Sequence, residues 1–281
     1  MDICSGIDDI RAVVAGYRGA GRSVGLVPTM GALHAGHMAL VSAAKGANDR
    51  VVATIFVNPT QFGQAADLDA YPRTEDADLA MLKAAGVDAV LLPTVEDIYP
   101  EGDETIVETT RLAGVFHGAV RPGHFRGVAT VVAKLFNIAG PDRAYFGEKD
   151  YQQLAVIRRM ARDLHFAVEV VGVPTVREAD GLAMSSRNVR LSPEDRTAAP
   201  ILNASLDAAE KTARPGTTAE ELAETIRGVI ATEPRARLKG LDIVRVGSFT
   251  PAAGPLTAPV GIMISAEFGD VLLIDQREIT P

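Results

Sequence analysis

Val24-Gly25-Leu26-Val27-Pro28-Thr29-Met30-Gly31-Ala32-Leu33-His34-Ala35-Gly36-His37 is the stretch from which the rest of the chain can be read. Residues 24–27 form a short apolar run suited to a buried strand, and residues 28–33 carry the proline and glycine of a turn. The apolar sequence from Gly36 onward has helical character. Strand, turn and helix in that order place His34 and His37 at a helix start. Such a start offers unpaired N–H groups and the positive end of the peptide dipoles, so it holds phosphate with little added machinery. Residues three apart share a helix face, which lets both imidazoles donate to one phosphate cluster.

Two histidines at this spacing also suit zinc. Cys4 is the only cysteine, no H-E-x-x-H occurs, and His117, His124 and His165 show no ligand spacing. Structural zinc sites take four protein ligands and catalytic ones three, so zinc is the weaker reading. A purely structural helix cap leaves unexplained why glycines at 31 and 36 crowd the turn, where small residues let a bulky ligand approach the backbone. Gly19-Ala20-Gly21 precedes the strand, so it is no dinucleotide fingerprint, and no P-loop pattern is present. Taken with the distant Met184-Ser185-Ser186-Arg187-Asn188, the histidine pair points to cleavage of ATP at its α-phosphate.

A chain of 281 residues is long enough for two domains, and 47% hydrophobic with 23% charged residues describes a soluble globular protein. No apolar run approaches a membrane span, and the N-terminus lacks a basic segment followed by an apolar one. A single cysteine forms no internal disulfide, which reads as a reducing, cytoplasmic compartment. A net charge of −8 argues against nucleic-acid or anionic-membrane partners. An anionic substrate then needs a local basic pocket, for which Arg121, Lys149 and Arg187 are the candidates.

Working outward, short apolar runs alternate with helical patterns over the first two thirds, as in a parallel sheet covered on both faces. Strands are expected at 24–27, 51–57, 87–92, 143–146 and 167–171. Helices are expected at 124–139, stopped by Gly140-Pro141, and at 151–164. Asn58-Pro59-Thr60-Gln61 and Gly147-Glu148-Lys149-Asp150 follow strands, where functional loops of such sheets lie. Residues 62–69 read as a mobile flap or an ordinary surface loop, and the flap reading has them order over a bound intermediate. Beyond Thr175 the pattern changes. Ser192-Pro193 starts one helix, Thr218 and Glu221 form a capping box for another, and strands are expected at 241–246, 260–268 and 271–274, with Gly269-Asp270 as a tight hairpin.

Several blocks recur together and in order: residues 27–37, Ile55-Phe56-Val57-Asn58-Pro59-Thr60-Gln61-Phe62, Tyr71-Pro72-Arg73-Thr74, Arg121-Pro122-Gly123-His124-Phe125, Phe146-Gly147-Glu148-Lys149-Asp150-Tyr151-Gln152-Gln153 and residues 181–188. In these blocks the chain resembles the pantothenate synthetases, strongly to about Leu191 and weakly beyond, apart from the hairpin and Ile274-Asp275. The resemblance implies a Rossmann-like α/β fold, with residues 1–176 as the ATP- and pantoate-binding domain and 177–281 as a smaller C-terminal α+β lid. It implies that pantoate attacks ATP to give a pantoyl adenylate and pyrophosphate, and that β-alanine then displaces AMP. Both nucleophiles belong to the substrates, so the protein supplies alignment, charge neutralisation and dryness.

The same resemblance assigns roles. His37, His34 and Lys149 would act on the phosphates. Met30, Gly31, Ala32, Leu33, His34, Ala35, Gly36 and His37, then Gly147, Glu148, Lys149, Asp150 and Val176, and finally Met184, Ser185, Ser186 and Arg187 would bind ATP. Gln61 and Gln153 would hold pantoate, and Asn58 and Arg121 would complete the substrate pocket, Arg121 toward β-alanine's carboxylate. Apart from the resemblance, Met30 with Val131 or its neighbours offers an apolar patch for pantoate's gem-dimethyl group. Mg2+ is expected with ATP. No protein metal ligand is assigned, because Ala77 interrupts the aspartates of Asp76-Ala77-Asp78. The partners implied are small molecules, pantoate, β-alanine and ATP, with a homodimer as the usual assembly. Two rival readings are a nucleotidyltransferase with a phosphorylated acceptor, which shares the histidine motif, and a non-catalytic nucleotide sensor on the same fold, which the presence of both histidines, Lys149 and the Ser-Ser-Arg group disfavours.

Overall fold

The computed structural model describes residues 1–63 and 68–281. Part of the 62–69 flap candidate, residues 64–67, lies outside the described residues. The chain divides into two compact units, one of Met1–Gly147 with Gln152–Pro174 and one of Glu148–Tyr151 with Thr175–Pro281.

Among the described residues of the first unit, six strands form a parallel sheet: β1 (Asp2–Cys4), β2 (Val24–Thr29), β3 (Arg50–Ile55), β4 (Ala89–Leu91), β5 (Arg143–Gly147) and β6 (Glu169–Val173). Their order is β1-β4-β3-β2-β5-β6. From β2 the chain first works outward to β3 and β4, then returns to place β5 on the other side of β2. The strand order therefore switches beside β2, and such a switch opens a crevice beyond the carboxyl ends of the strands. Val24, Leu26, Val27, Val51, Val52 and Ala53 are fully buried, as expected of strands covered on both faces.

Local chemistry sets the elements. Gly25 lies in β2 because a Cβ there would sit 2.7 Å from Asn48 Nδ2. Pro28 belongs to β2 and not, as expected, to the turn after it. Thr29 accepts from the Phe56 N–H on the β3 side, so Pro28, one residue earlier, faces β5. The β2–β5 pairing ends at Leu26, and a missing N–H at Pro28 breaks no ladder. The helix His124–Ala139 ends at Gly140 in the left-handed region, where the expected stop lies.

The second unit holds a three-stranded antiparallel sheet in the order β7 (Arg237–Arg245), β8 (Val260–Phe268), β9 (Val271–Ile279). Leu202, Leu206, Leu222 and Ile226 of the helices Ile201–Thr212 and Ala219–Ile230 pack with Ile262, Ile264 and Phe268 in one core. Ser192 caps the helix Pro193–Ala198, and the Thr218–Glu221 capping box forms as expected.

Several boundaries differ from expectation. β3 ends two residues early at Ile55, β4 is only Ala89–Leu91, and β6 is shifted to Glu169–Val173. β7 and β9 are longer than their apolar runs. β9 continues through Asp275 because that carboxylate is paired: Arg177 Nη1 and Nη2 donate to Asp275 Oδ2 and Oδ1 at 2.6 and 2.9 Å. Arg177 Nη1 also donates to the Gly181 carbonyl, so the pair fastens the 177–183 segment to β9. The Asp275 side chain is 1% exposed, and removing one partner of a buried pair strands the other charge. Asp275→Ala should therefore lower unfolding free energy by about 3 kcal/mol, read from urea midpoints, whereas a loss below about 1 kcal/mol would show the pair to be peripheral.

Candidate active site

The turn between β2 and the helix Ala35–Ala47 carries backbone conformations that need support. Gly31 has φ +80°, and Ala32, which has a Cβ, has φ +50°. A left-handed residue other than glycine costs roughly 1–3 kcal/mol and persists where its surroundings enforce it. Here the enforcing group is Asp78, 1% exposed, on the helix Glu75–Ala84. The Ala32 N–H donates to Asp78 Oδ2 at 2.9 Å and the Leu33 N–H to Oδ1 at 2.8 Å. Thr74 adds its hydroxyl to Oδ2 at 3.1 Å.

Beyond the turn, His34 is the N-cap of the helix. Its Nδ1 accepts from the Gly36 N–H at 3.1 Å, and His37 Nδ1 accepts from the His34 N–H at 3.3 Å. The imidazoles thus do the work of the side-chain oxygens that usually occupy a capping box, a contribution of about 1 kcal/mol. The ring centroids lie 4.1 Å apart. A nitrogen that accepts carries no proton, so each neutral ring has its proton on Nε2. Both histidines are therefore set to donate through Nε2.

Past β3, the 3-10 turn Pro59–Gln61 carries a second fixed arrangement. Asn58, 1% exposed, is the N-cap of this turn. Its Oδ1 accepts from the Thr60 N–H and hydroxyl and from the Tyr99 hydroxyl, the last at 2.8 Å. Its Nδ2 donates to the Gly127 carbonyl at 3.2 Å and to Gln61 Oε1 at 3.0 Å. The backbone N–H and carbonyl admit only one orientation of the Asn58 amide. Gln61 must then turn Oε1 toward Asn58, leaving its NH2 on the other side. One hydrogen of that NH2 meets Met30 Sδ at 3.1 Å. Burial pushes the Tyr99 phenol up, opposed in part by hydrogen bonds to Thr60 and Asn58, so it stays a donor.

The helix His124–Ala139 clamps this turn. A Cβ on Gly127 would lie 2.6 Å from the Thr60 carbonyl and 2.8 Å from Gln61 Cα, so only glycine allows the approach. His124 Nδ1 donates to the Gln61 carbonyl at 2.9 Å, which makes His124 Nε2 an acceptor for Arg121 Nη1 at 3.4 Å. Asn58 and Arg121 therefore touch Gln61 and its support. Gln152 is consumed by the fold: it accepts from the His117 N–H and donates to the carbonyls of Leu112 and Val115. The Gln153 side chain, by contrast, is half-buried and makes no hydrogen bond among the described residues.

In the second unit, Met184 N–H donates to the Val176 carbonyl at 2.9 Å, and Ser185 Oγ accepts from the Arg187 N–H at 3.2 Å. Asn188 Nδ2 donates to Glu178 Oε1 and the Ala183 carbonyl, which folds the Ser-Ser-Arg stretch back on the strand-like segment before it. Lys149, Glu148 and Asp150 belong to this unit, and Gly147 ends β5 in the first.

The chain matches the pantoate-beta-alanine ligase family over residues 2–278. It belongs to that family. It is 52% identical over 276 residues to the pantothenate synthetase of Sinorhizobium medicae, covering 98% of this chain and 95% of that protein. The crystal structure of pantothenate synthetase from Thermus thermophilus superposes with a TM-score of 0.94 at 48% identity, with both chains fully covered. The pantoate-beta-alanine ligase of Francisella tularensis, solved as a complex with an ATP compound and β-alanine, gives 0.80 at 33% identity over 99% of this chain and 97% of that one.

Four residues of this ligase's candidate site had no role in the sequence reading: Asp78, Tyr99, His124 and Gly127. Gly127 alone had a signal, a glycine inside a strongly apolar helical run. The imidazole geometry has a direct check. A two-bond 1H–15N correlation spectrum should show an unprotonated Nδ1 and a protonated Nε2 in both neutral rings, and the opposite tautomer in either would contradict the capping arrangement.

Proposed function

We propose that this ligase forms pantothenate through a pantoyl adenylate, with the turn after β2 gripping the triphosphate. The chain is an ATP-dependent ligase that joins the carboxyl of pantoate to the amine of β-alanine, in keeping with its family and relatives. In the first step a pantoate carboxylate oxygen bonds to the α-phosphorus and the bond to the bridging oxygen breaks, releasing pyrophosphate. In the second the β-alanine amine attacks the acyl carbon, AMP departs, and one proton is lost to solvent. Mg2+ enters with ATP as part of that substrate.

The observation that carries this reading is the capping of the helix by Nδ1 of His34 and His37, which assigns the proton of each neutral ring to Nε2. Donors held in place before the reaction stabilise charge developing on pyrophosphate without reorganisation. Lys149, Ser185, Ser186 and Arg187 take the remaining phosphate oxygens, with Met184, Val176 and residues 147–150 at the nucleotide. Arg187 suits a planar two-point grip on phosphate. Gln61 and Gln153 hold pantoate, with Met30 and Val131 against its methyl groups and Arg121 toward β-alanine. We read the working assembly as a cytoplasmic homodimer.

A pyrophosphate-release assay tests the scheme. ATP with pantoate alone should give a burst, and β-alanine should convert it to turnover with AMP as product. Release independent of pantoate favours a different acceptor, and binding without release favours a sensor. His37→Ala should lower the burst rate about 10²-fold with the fold intact, matching the loss of one preorganised donor. Unchanged release would remove His37 from the phosphate site.

Because Asn58 fixes the Gln61 amide, Gln61 offers N–H, which recognises an oxygen of pantoate. Asn58→Asp replaces the donor facing Gln61 Oε1 by an acceptor and inverts that preference. The pantoate concentration for half-maximal rate should rise about tenfold, roughly 1.4 kcal/mol, with the ATP requirement nearly unchanged. A larger change for ATP than for pantoate would move Gln61 to the nucleotide.

A further inference from the structure

We infer that Asp78 is a positioning residue for adenylation: its carboxylate holds the 31–34 turn in the shape that aims His34 and His37, and it is not a metal ligand. The inference rests on the adenylate reading above.

Three donors converge on this buried carboxylate, the N–H groups of Ala32 and Leu33 and the Thr74 hydroxyl. Thr74 stands at the N-cap of the helix Glu75–Ala84 yet makes no side-chain cap. Its hydroxyl is given to Asp78 instead. Space is closed as well as polarity: a Cβ on Gly31 would stand 3.0 Å from Asp78 Oδ2 and 3.2 Å from the Ile55 side chain. The turn, the carboxylate and the end of β3 thus fit as one piece, with the left-handed Ala32 at its centre. His34 begins one residue beyond the second N–H bound by Asp78, so its direction is inherited from that bond.

A magnesium ion asks for carboxylate oxygens that are exposed to it and for nearly octahedral surroundings. Asp78 fails on both counts, since its oxygens face backbone N–H groups in the interior. Asp76, two residues earlier, is exposed and points from a different part of the helix surface, because residues two apart do not share a face. Ala77 between them supplies no oxygen. The donor set here fits a turn anchor.

Asp78→Asn separates the possibilities. The amide places NH2 against a backbone N–H of Ala32 or Leu33, two donors face each other, and the turn loses its anchor. Pantoate-dependent pyrophosphate release should fall at least ~10²-fold, as when a preorganised donor is misplaced. Conversion of supplied pantoyl adenylate and β-alanine to pantothenate should stay within about threefold of the parent, because that half-reaction does not use the pyrophosphate grip. General structural damage would lower both. The Mg2+ concentration for half-maximal release should be unchanged. Rescue of the variant by excess Mg2+, or parent-like release, would overturn the inference.

Should Asp78→Asn fail to fold, Thr74→Val decides. It removes one hydrogen bond to Oδ2, and a severalfold loss confined to pyrophosphate release supports the anchor, whereas equal loss in both half-reactions or none refutes it. Absence of a pantoate-dependent burst in the parent protein would instead count against the adenylate reading itself.

Discussion

A carboxylate buried against backbone N–H groups determines how the chain leaves β2. Without Asp78 the N–H groups of the half-buried Ala32 and Leu33 lose their partner, and without them the charge of the buried Asp78 would lose its backbone donors, a larger penalty than a single hydrogen bond is a gain. Asp78 meets both N–H groups at once. From that fixed point the next two N–H groups in need of partners, those of His34 and Gly36, are taken by imidazole nitrogens. Each ring is used on one side by the backbone and therefore presents one defined chemistry on the other. On the proposed reading, the hydrogen bonds that cap the helix are the ones that orient the phosphate-facing edges of the rings.

The turn after β3 follows the same logic with neutral groups. An amide has two faces of opposite character, and nothing in a glutamine by itself decides which it shows. Asn58 decides it, because its own amide is pinned by a backbone donor on one side and the Gly127 carbonyl on the other. Gly127 is what allows that carbonyl to come near: the helix His124–Ala139 touches the Pro59–Gln61 turn at a distance no side chain would permit. A packing contact between a helix and a short turn is thereby converted into a choice of hydrogen-bond polarity at Gln61.

The fold was legible where apolar runs and caps agree. β2, β8 and the helix His124–Ala139 carry continuous buried faces, and the helix caps at Ser192 and Thr218 obey simple side-chain rules. β1 was invisible because Asp2–Cys4 is three residues long, begins with an acid and lies at the sheet edge. The start of β7 was missed because Arg237, Lys239 and Gly240 mask the alternation, and a register shift falls between Leu238 and Gly240. Pro28 looked like a turn residue because sequence does not reveal which neighbour its absent N–H would have faced.

For the candidate site, the histidines stood out because their spacing and the glycines around them form a local pattern. Asp78 did not, since an aspartate in the first turn of a helix ordinarily sits in water and answers the helix dipole. Its backbone partners lie 45 and 46 residues away in sequence, with β3 in between. The same separation hid Tyr99, whose hydroxyl reaches Asn58 from 41 residues away. The groups proposed to bind are read from neighbours along the chain, whereas the groups that hold them in place are defined by contacts that only folding creates. The orientation of Gln61 therefore depends on residues whose letters, taken alone, carry no sign of a ligand.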